Sequence, residues 1–473
     1  MTRALAHTSL VQDSQSSSVS APDSTKTSAQ DLFHRVAPKA CTLAAFLLPL
    51  KLSLTYIVIV PLLLAFLWTQ RAHVLQFISA PSISRVTTPL TILVAIALIS
   101  AVTGLSLAHS VPSLASLIFF CATIPLYALH AQTRPVCIAL IAGQSIAALH
   151  SLFEAALPGG LSRLFLGKVT ESGQLALTIP LAVGLCMLMT ASSHPHQRSR
   201  QRLASLLLTG LLVTTSLVLL GFNADANLSA WAVVLLACIA TIVPLAATRL
   251  SAKAWDLPPS VVFLSVVQLP LLLCALVVNL KRGPWIGTLL AASAFCFLYS
   301  RKLVLGIIAG AITLACVITP VRERLLNSYE HFTISGGRST IWRIGAELAT
   351  EYPLGIGYHN SGIMRELAPE IPPELKHFHN NLINITTELG WLGGAVFIWL
   401  LLSLLKVCFK DRSAPLYTAI GCAIIAWQVA GLFEYNFGDS EITLIVWALV
   451  GLVLQREYRQ PQLSDSHHDR APA

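Results

Sequence analysis

The strongest constraint on this chain is a recurring apolar run, close in many instances to the length that spans a bilayer. A segment in lipid has no water to satisfy its backbone N–H and C=O groups, and within one segment only a helix satisfies them internally. The runs read as spans at 36–50, 53–69, 88–107, 111–129, 134–156, 174–191, 203–221, 228–247, 258–279, 284–299, 302–319, 389–408, 415–433 and 440–455. The first pair is short, and the tenth and eleventh are parted only by Ser300 and Arg301, so the expected count is 12–14 transmembrane helices. Composition agrees: 55% of residues are hydrophobic, 11% are charged, and the mean hydropathy is +0.71. The fold class expected is an all-α polytopic membrane protein.

The net charge of +9 comes from scattered basic residues with no soluble basic module, which argues against a nucleic-acid partner. The cysteines fall in or beside apolar runs and form no CxxC, so they read as small buried residues rather than a disulfide framework. The expected organisation is a disordered cytoplasmic tail over 1–34, a transmembrane bundle over 35–319, a large polar loop with short helices over 320–388, C-terminal transmembrane helices over 389–457, and a second cytoplasmic tail over 458–473. The Ser- and Thr-rich N-terminal segment lacks the layout of a cleavable signal peptide.

Basic residues set the orientation. With both termini in the cytoplasm, the short outer loops hold only Lys51, Arg163, Lys168, Lys281 and Arg282, and the inner loops hold most of the remaining loop Lys and Arg. Four distinctive segments then share the outer face: 161–174, KRGPW (281–285), the loop 320–388, and EYNFGDSE (434–441). ATP is absent outside, so an enzyme there needs a pre-activated substrate.

Within the loop, Ile341, Ile344 and Leu348 predict an amphipathic helix after GGRST, with Ser339 or Thr340 as cap. Gly336-Gly337 beside Arg338 is either an anion site at a helix start or an ordinary turn with a solvated Arg. A second helix begins near His379, with Leu382, Ile385 and Leu389 on one face. A histidine at a helix N-terminus is disfavoured as imidazolium, which suits a general base; it is equally a surface histidine with no task. A metal reading of His377-x-His379 needs His359, His331 or Glu374 as further ligands and matches no recognisable zinc spacing. Lys281 and Arg282 either snorkel or hold a lipid phosphate. Glu434, Asp439 and Glu441 form an acidic cluster that orients a base, pairs with an Arg, or simply makes a polar turn.

His379-Asn380, nine residues, Gly390, two residues and Gly393 spell H-N-x9-G-x2-G. This resembles the signature loop of bacterial O-antigen ligases, within the O-antigen ligase and polymerase superfamily. GGRSTIWRIGAELATEYPLGIGYHN resembles another part of that loop, and LFEYNFGDSE its last outer turn. KRGPW resembles the family's Ser-Arg-Gly-aromatic element, with Lys281 for the usual Ser and Pro284 inserted before Trp285.

The resemblance implies a GT-C-like glycosyltransferase of the bacterial inner membrane, working on the periplasmic face without metal, ATP or other cofactor. The donor implied is a glycan on undecaprenyl pyrophosphate, and the acceptor is a sugar of the lipid A–core, as in lipopolysaccharide biosynthesis. On that reading His379 is the catalytic base. Arg282, Arg338 and Lys281 bind the pyrophosphate, with Arg163 and Lys168 as further donors. Asn380 orients His379 or a sugar, Trp342 and Trp391 pack or stack on sugars, and Glu434 and Asp439 support. Membrane lipids surround the bundle, and its spans hold the polyprenyl tail. The alternatives are a polymerase of the same superfamily, which differs in acceptor, and a polytopic lipid or solute transporter, against which the absence of an evident internal repeat argues.

Overall fold

The computed structural model describes residues 24–156, 167–193, 267–299, 301–334, 337–367, 371 and 375–468. The expected spans at 203–221 and 228–247, and Arg163, lie outside them. The described residues form helices, turns and loops, with no strand among them. In chain order the helices are α1 (Ser24–Leu47), α2 (Leu52–Ile78), α3 (Ser84–Thr103), α4 (Leu107–His130), α5 (Thr133–Ala156), α6 (Lys168–Ser193), α7 (Leu269–Val278), α8 (Arg282–Tyr299) and α9 (Arg301–Val317). They continue as α10 (Thr319–Leu326), α11 (Ser328–Thr333), α12 (Arg338–Glu351), α13 (Met364–Leu367), α14 (Asn381–Cys408), α15 (Pro415–Ala430) and α16 (Ser440–His468). Among the described residues, α2, α3 with its preceding turn, α4, α5, α6 and α14 are long and apolar enough to cross a membrane. The protein is an all-α polytopic membrane protein.

Two boundaries differ from expectation. Helix α1 starts at Ser24, inside the stretch expected to be a disordered tail, and α16 runs on to His468 through most of the expected C-terminal tail. Helical hydrogen bonding propagates past an apolar segment once the costly first turn exists, so a polar extension need not end a helix.

Small residues bring the helices together. Helix α6 packs on α15, α15 on α8, α16 on α4, and α14 on α3. At the α6–α15 crossing a Cβ on Gly184 would strike Ala419, and at the α8–α15 crossing a Cβ on Gly287 would strike the Ala426 carbonyl. Close backbone approach of this kind serves membrane interfaces, where helix–helix burial gains no hydrophobic free energy over lipid.

The polar loop has a core of its own. Ile341, Ile344 and Leu348 of α12 face inward, as their spacing predicts, and join Ile356, Met364, Ile371 and Phe378. Gly337, rather than Ser339 or Thr340, is the N-cap of α12, so the helix begins two or three residues earlier than expected.

This loop is seated on α14 through a break in that helix. Gly390 has φ +75° and ψ 177°, a conformation open essentially to glycine alone. The break frees the carbonyls of Thr387 and Glu388, which accept from the N–H groups of Ile356 (3.0 Å) and Gly357 (3.2 Å). The Trp391 N–H donates to the Pro353 carbonyl at 3.2 Å, and Ser100 Oγ of α3 donates to the Glu388 carbonyl. Beyond the break, residues 391–408 make about 27 Å of helix, near the roughly 30 Å of a hydrocarbon core. The nine-residue interval between Asn380 and Gly390 is therefore the helical piece on which the loop sits.

A Cβ at Gly390 would also clash with the Pro353 carbonyl. Gly390→Ala is expected to destabilise the protein by at least about 1–3 kcal/mol, read as a lowered thermal midpoint in detergent. Gly362→Ala, whose Cβ meets only the far end of Arg365, is the control expected to leave the midpoint unchanged.

Candidate active site

The site begins with Asn380. Its Oδ1 accepts from the N–H groups of Leu382 (2.9 Å) and Ile383 (3.1 Å), two donors that the first turn of α14 leaves unpaired. Its Nδ2 donates to the Leu432 carbonyl at 3.1 Å. Asn381 makes the second tie: its N–H donates to the Gly431 carbonyl (2.6 Å), its Oδ1 accepts from the Phe437 N–H (3.0 Å), and its Nδ2 donates to Gln428 Oε1 (3.3 Å). The start of α14 and the turn between α15 and α16 are thereby fixed to one another.

That fixation brings His379 to Glu434. His379 Nδ1 lies 2.6 Å from Glu434 Oε2, and Glu434 Oε1 lies 3.3 Å from Arg338 Nη2. Burial alone would raise the Glu434 carboxyl; the hydrogen bond and charge of His379 and the charge of Arg338 outweigh it and hold the group below the ordinary carboxylate range. An ionised carboxylate only accepts, so the proton between them belongs to Nδ1. In a neutral His379 ring, Nε2 is then the bare acceptor, and it has no partner among the described residues. The pair is partly open, with each side chain 17% exposed.

Basic side chains surround the pair. Arg338 is the first residue of α12, Arg282 opens α8 directly after Lys281, and Lys168 opens α6. Burial, followed by the charges of Arg324, Arg338 and Lys168, lowers the pKa of Lys281, with Glu434 opposing them. The charges of Arg324 and Arg338 also reach Arg282. Lys168, Lys281 and Arg282 form no ion pair among the described residues. Arg324 of α10 donates from Nε to the Leu280 carbonyl at 3.3 Å. The sequence reading missed Arg324; the signal available was VRERLL directly after an apolar span.

Among the described residues, three non-glycine residues have positive φ, and all belong to this region: Leu280 (52°), His359 (63°) and His379 (50°). Each such backbone costs on the order of 1–3 kcal/mol and persists only where its surroundings dictate it, which is commonest at functional sites.

Several expected roles change. Asn380 caps a helix and clamps a turn, so it positions His379 and is committed away from any sugar. Trp342 Nε1 donates to the Phe378 carbonyl (3.0 Å) and its ring meets Phe332 edge-on, so it braces the strand of chain leading to His379. Trp391 is largely exposed, away from this brace. Asp439 does not reach His379: its Oδ1 caps α16 and its Oδ2 accepts from Thr170 Oγ1 at 2.6 Å, tying α16 to α6. His377 stands beside His379, with ring centroids 4.3 Å apart. Among the described residues no group of His, Cys, Asp and Glu side chains is arranged to hold a metal ion; Glu374 lies outside them.

An apolar cavity of about 490 Å³ adjoins the basic cluster. Trp285, Val321 and Leu325 line it, close to Arg282 and Arg324 in sequence, together with Leu273, Phe295 and Ile308.

Residues 268–398 match the family model described as "O-Antigen ligase". The stretch holds Lys281, Arg282, Arg324, Arg338 and His379, and stops short of Glu434. Two relatives called "Putative polysaccharide ligase" align: one from Rickettsia bellii, 24% identical over 166 residues, and one from Rickettsia felis, 25% identical over 165. Each alignment covers 32% of this chain and 40% of the relative's length. The resemblance to the O-antigen ligase superfamily is supported by these matches.

Glu434→Gln is expected to lower the thermal midpoint at pH 7. Because the folded carboxyl sits below its unfolded value, its stabilisation is present above that value and lost as pH falls through the folded one. The gap between wild type and Glu434→Gln is therefore expected to close below about pH 4, in melts from pH 3 to 8.

Proposed function

We propose that this protein is a glycosyltransferase of O-antigen ligase type, transferring a glycan from undecaprenyl pyrophosphate to a hydroxyl of the lipid A–core on the periplasmic face of the inner membrane. The observation that carries the reading is the His379–Glu434–Arg338 chain, a base and an anion-binding group joined through one carboxylate. Glu434 holds the His379 ring by Nδ1, leaving Nε2 to take the proton of the acceptor hydroxyl. The acceptor oxygen forms its bond to the anomeric carbon as the bond from that carbon to the pyrophosphate oxygen breaks. The electron pair leaves with undecaprenyl pyrophosphate, and the proton remains on His379 Nε2.

Arg338, Arg282, Lys281 and Lys168, with Arg324, supply positive charge where the leaving group gains negative charge. Guanidinium groups do so without a change of protonation. The apolar cavity beside them suits the first isoprene units of a polyprenyl chain, so head and tail of one amphipathic donor find neighbouring surfaces. Arg163 is proposed as a further donor to the pyrophosphate.

Purified protein given undecaprenyl-pyrophosphate glycan and rough lipopolysaccharide in EDTA is expected to glycosylate the lipid A–core. His379→Ala is expected to lose about 10²–10⁴-fold in kcat, and Arg338→Ala to raise the donor KM. Glycan growth on the carrier alone would make the protein a polymerase. No transfer, where a control ligase works, would refute the enzyme.

A further inference from the structure

The pair His379–Glu434 uses one of the two histidines in HFH (377–379) and leaves His377 without a role. We propose that His377 is an acceptor-binding residue, a fixed-tautomer imidazole whose Nε2–H donates to the same sugar hydroxyl that His379 deprotonates. This rests on the glycosyl-transfer reading above.

The tautomer follows from one hydrogen bond. The backbone N–H of His379 donates to His377 Nδ1 at 3.3 Å. A ring nitrogen that accepts carries no proton, so a neutral ring holds its proton on Nε2. The ring stays neutral near pH 7: burial, then the neighbouring His379, lowers His377 to about 4. The other charged groups facing it are Glu434, which favours protonation, and His359 and Arg338, which oppose it. Nε2 makes no hydrogen bond among the described residues. The ring is held on both sides, tilted on Tyr435 at 5.5 Å and edge-on to His379 at 4.3 Å.

Two adjacent imidazoles thus offer opposite polarity. His379 presents a bare nitrogen and His377 an N–H. A hydroxyl both donates and accepts, so one oxygen satisfies both rings, giving its hydrogen to His379 and receiving that of His377. An ionised phosphate oxygen accepts only and leaves His379 Nε2 unmet. The doublet therefore favours a sugar hydroxyl over the donor's phosphates at this point of the site, while the basic residues favour the reverse at theirs.

The test separates the two nitrogens of His377. His377→Asn keeps a short acceptor near the His379 N–H and lacks the distant donor; His377→Gln restores an N–H at greater reach. In the transfer assay, His377→Asn is expected to raise the acceptor KM about five- to tenfold with the donor KM unchanged, and His377→Gln to recover most of the loss. An unchanged acceptor KM in His377→Asn, or a loss falling on the donor KM, overturns the proposal. A wild type that transfers nothing removes the glycosyl-transfer reading and this role with it. Ring ¹⁵N NMR of histidine-labelled wild-type protein gives a readout independent of activity, with His377 assigned by its loss in either variant. The Nε2–H tautomer from pH 5.5 to 8 is expected; an Nδ1–H tautomer, or titration above pH 6, overturns the proposal.

Discussion

The hydrogen bonds of Asn380 and Asn381 join the start of α14 to the turn between α15 and α16, two segments far apart in the chain. Every polar atom of the two side chains is engaged, Asn380 Oδ1 in the helix cap and the other three in this join. The capping bonds close the first turn of a membrane helix whose free N–H groups would otherwise have to be met by water or ligand. The cross-chain bonds set how far Glu434 stands from His379. At the other end of the same helical piece, Gly390 turns the α14 backbone aside and the freed carbonyls seat the loop that carries α12. Arg338 is thus placed against Glu434 by a break in a helix on the far side of the loop core.

The electrostatic arrangement depends on those joins. Glu434 is one partly buried carboxylate shared between a ring nitrogen and a guanidinium, with Lys281 within electrostatic reach of it and Arg282, Arg324 and Lys168 coupled to it through Lys281 and Arg338. A carboxylate in that setting stays ionised although burial opposes it, because the charged form has partners on both oxygens. The basic residues outnumber it. Such an imbalance is tolerable at a membrane edge where water or an anionic ligand can enter, and would be prohibitive in the hydrocarbon.

Much of this was legible from sequence because its cause was local. Apolar length gave the helices, and the spacing of Ile341, Ile344 and Leu348 gave the face of α12. The H-N-x9-G-x2-G pattern pointed to His379. Less local features were hidden. That Asn380 caps while Asn381 clamps depends on the position of Leu432 and Phe437, which no local pattern encodes. Glu434 and Asp439 read alike as members of one acidic cluster; only packing sends the first to His379 and the second to Thr170. Arg324 has no local motif to mark it; only the fold brings it to the Leu280 carbonyl. Helix ends at Ser24 and His468 were misjudged because hydropathy marks where a helix is greasy, not where its hydrogen bonds stop.

The left-handed backbones at Leu280, His359 and His379 set conformational ease against side-chain chemistry. Glycine relieves such a conformation, and at His379 it would delete the side chain that reaches Glu434 Oε2. A selection for thermal robustness alone would thus be drawn toward glycine at the position of the imidazole on which the proposed transfer rests. Durability and turnover are in conflict here at the level of single torsion angles, so a hardier version of this protein is better sought in helix crossings such as Gly184–Ala419 than around the histidines.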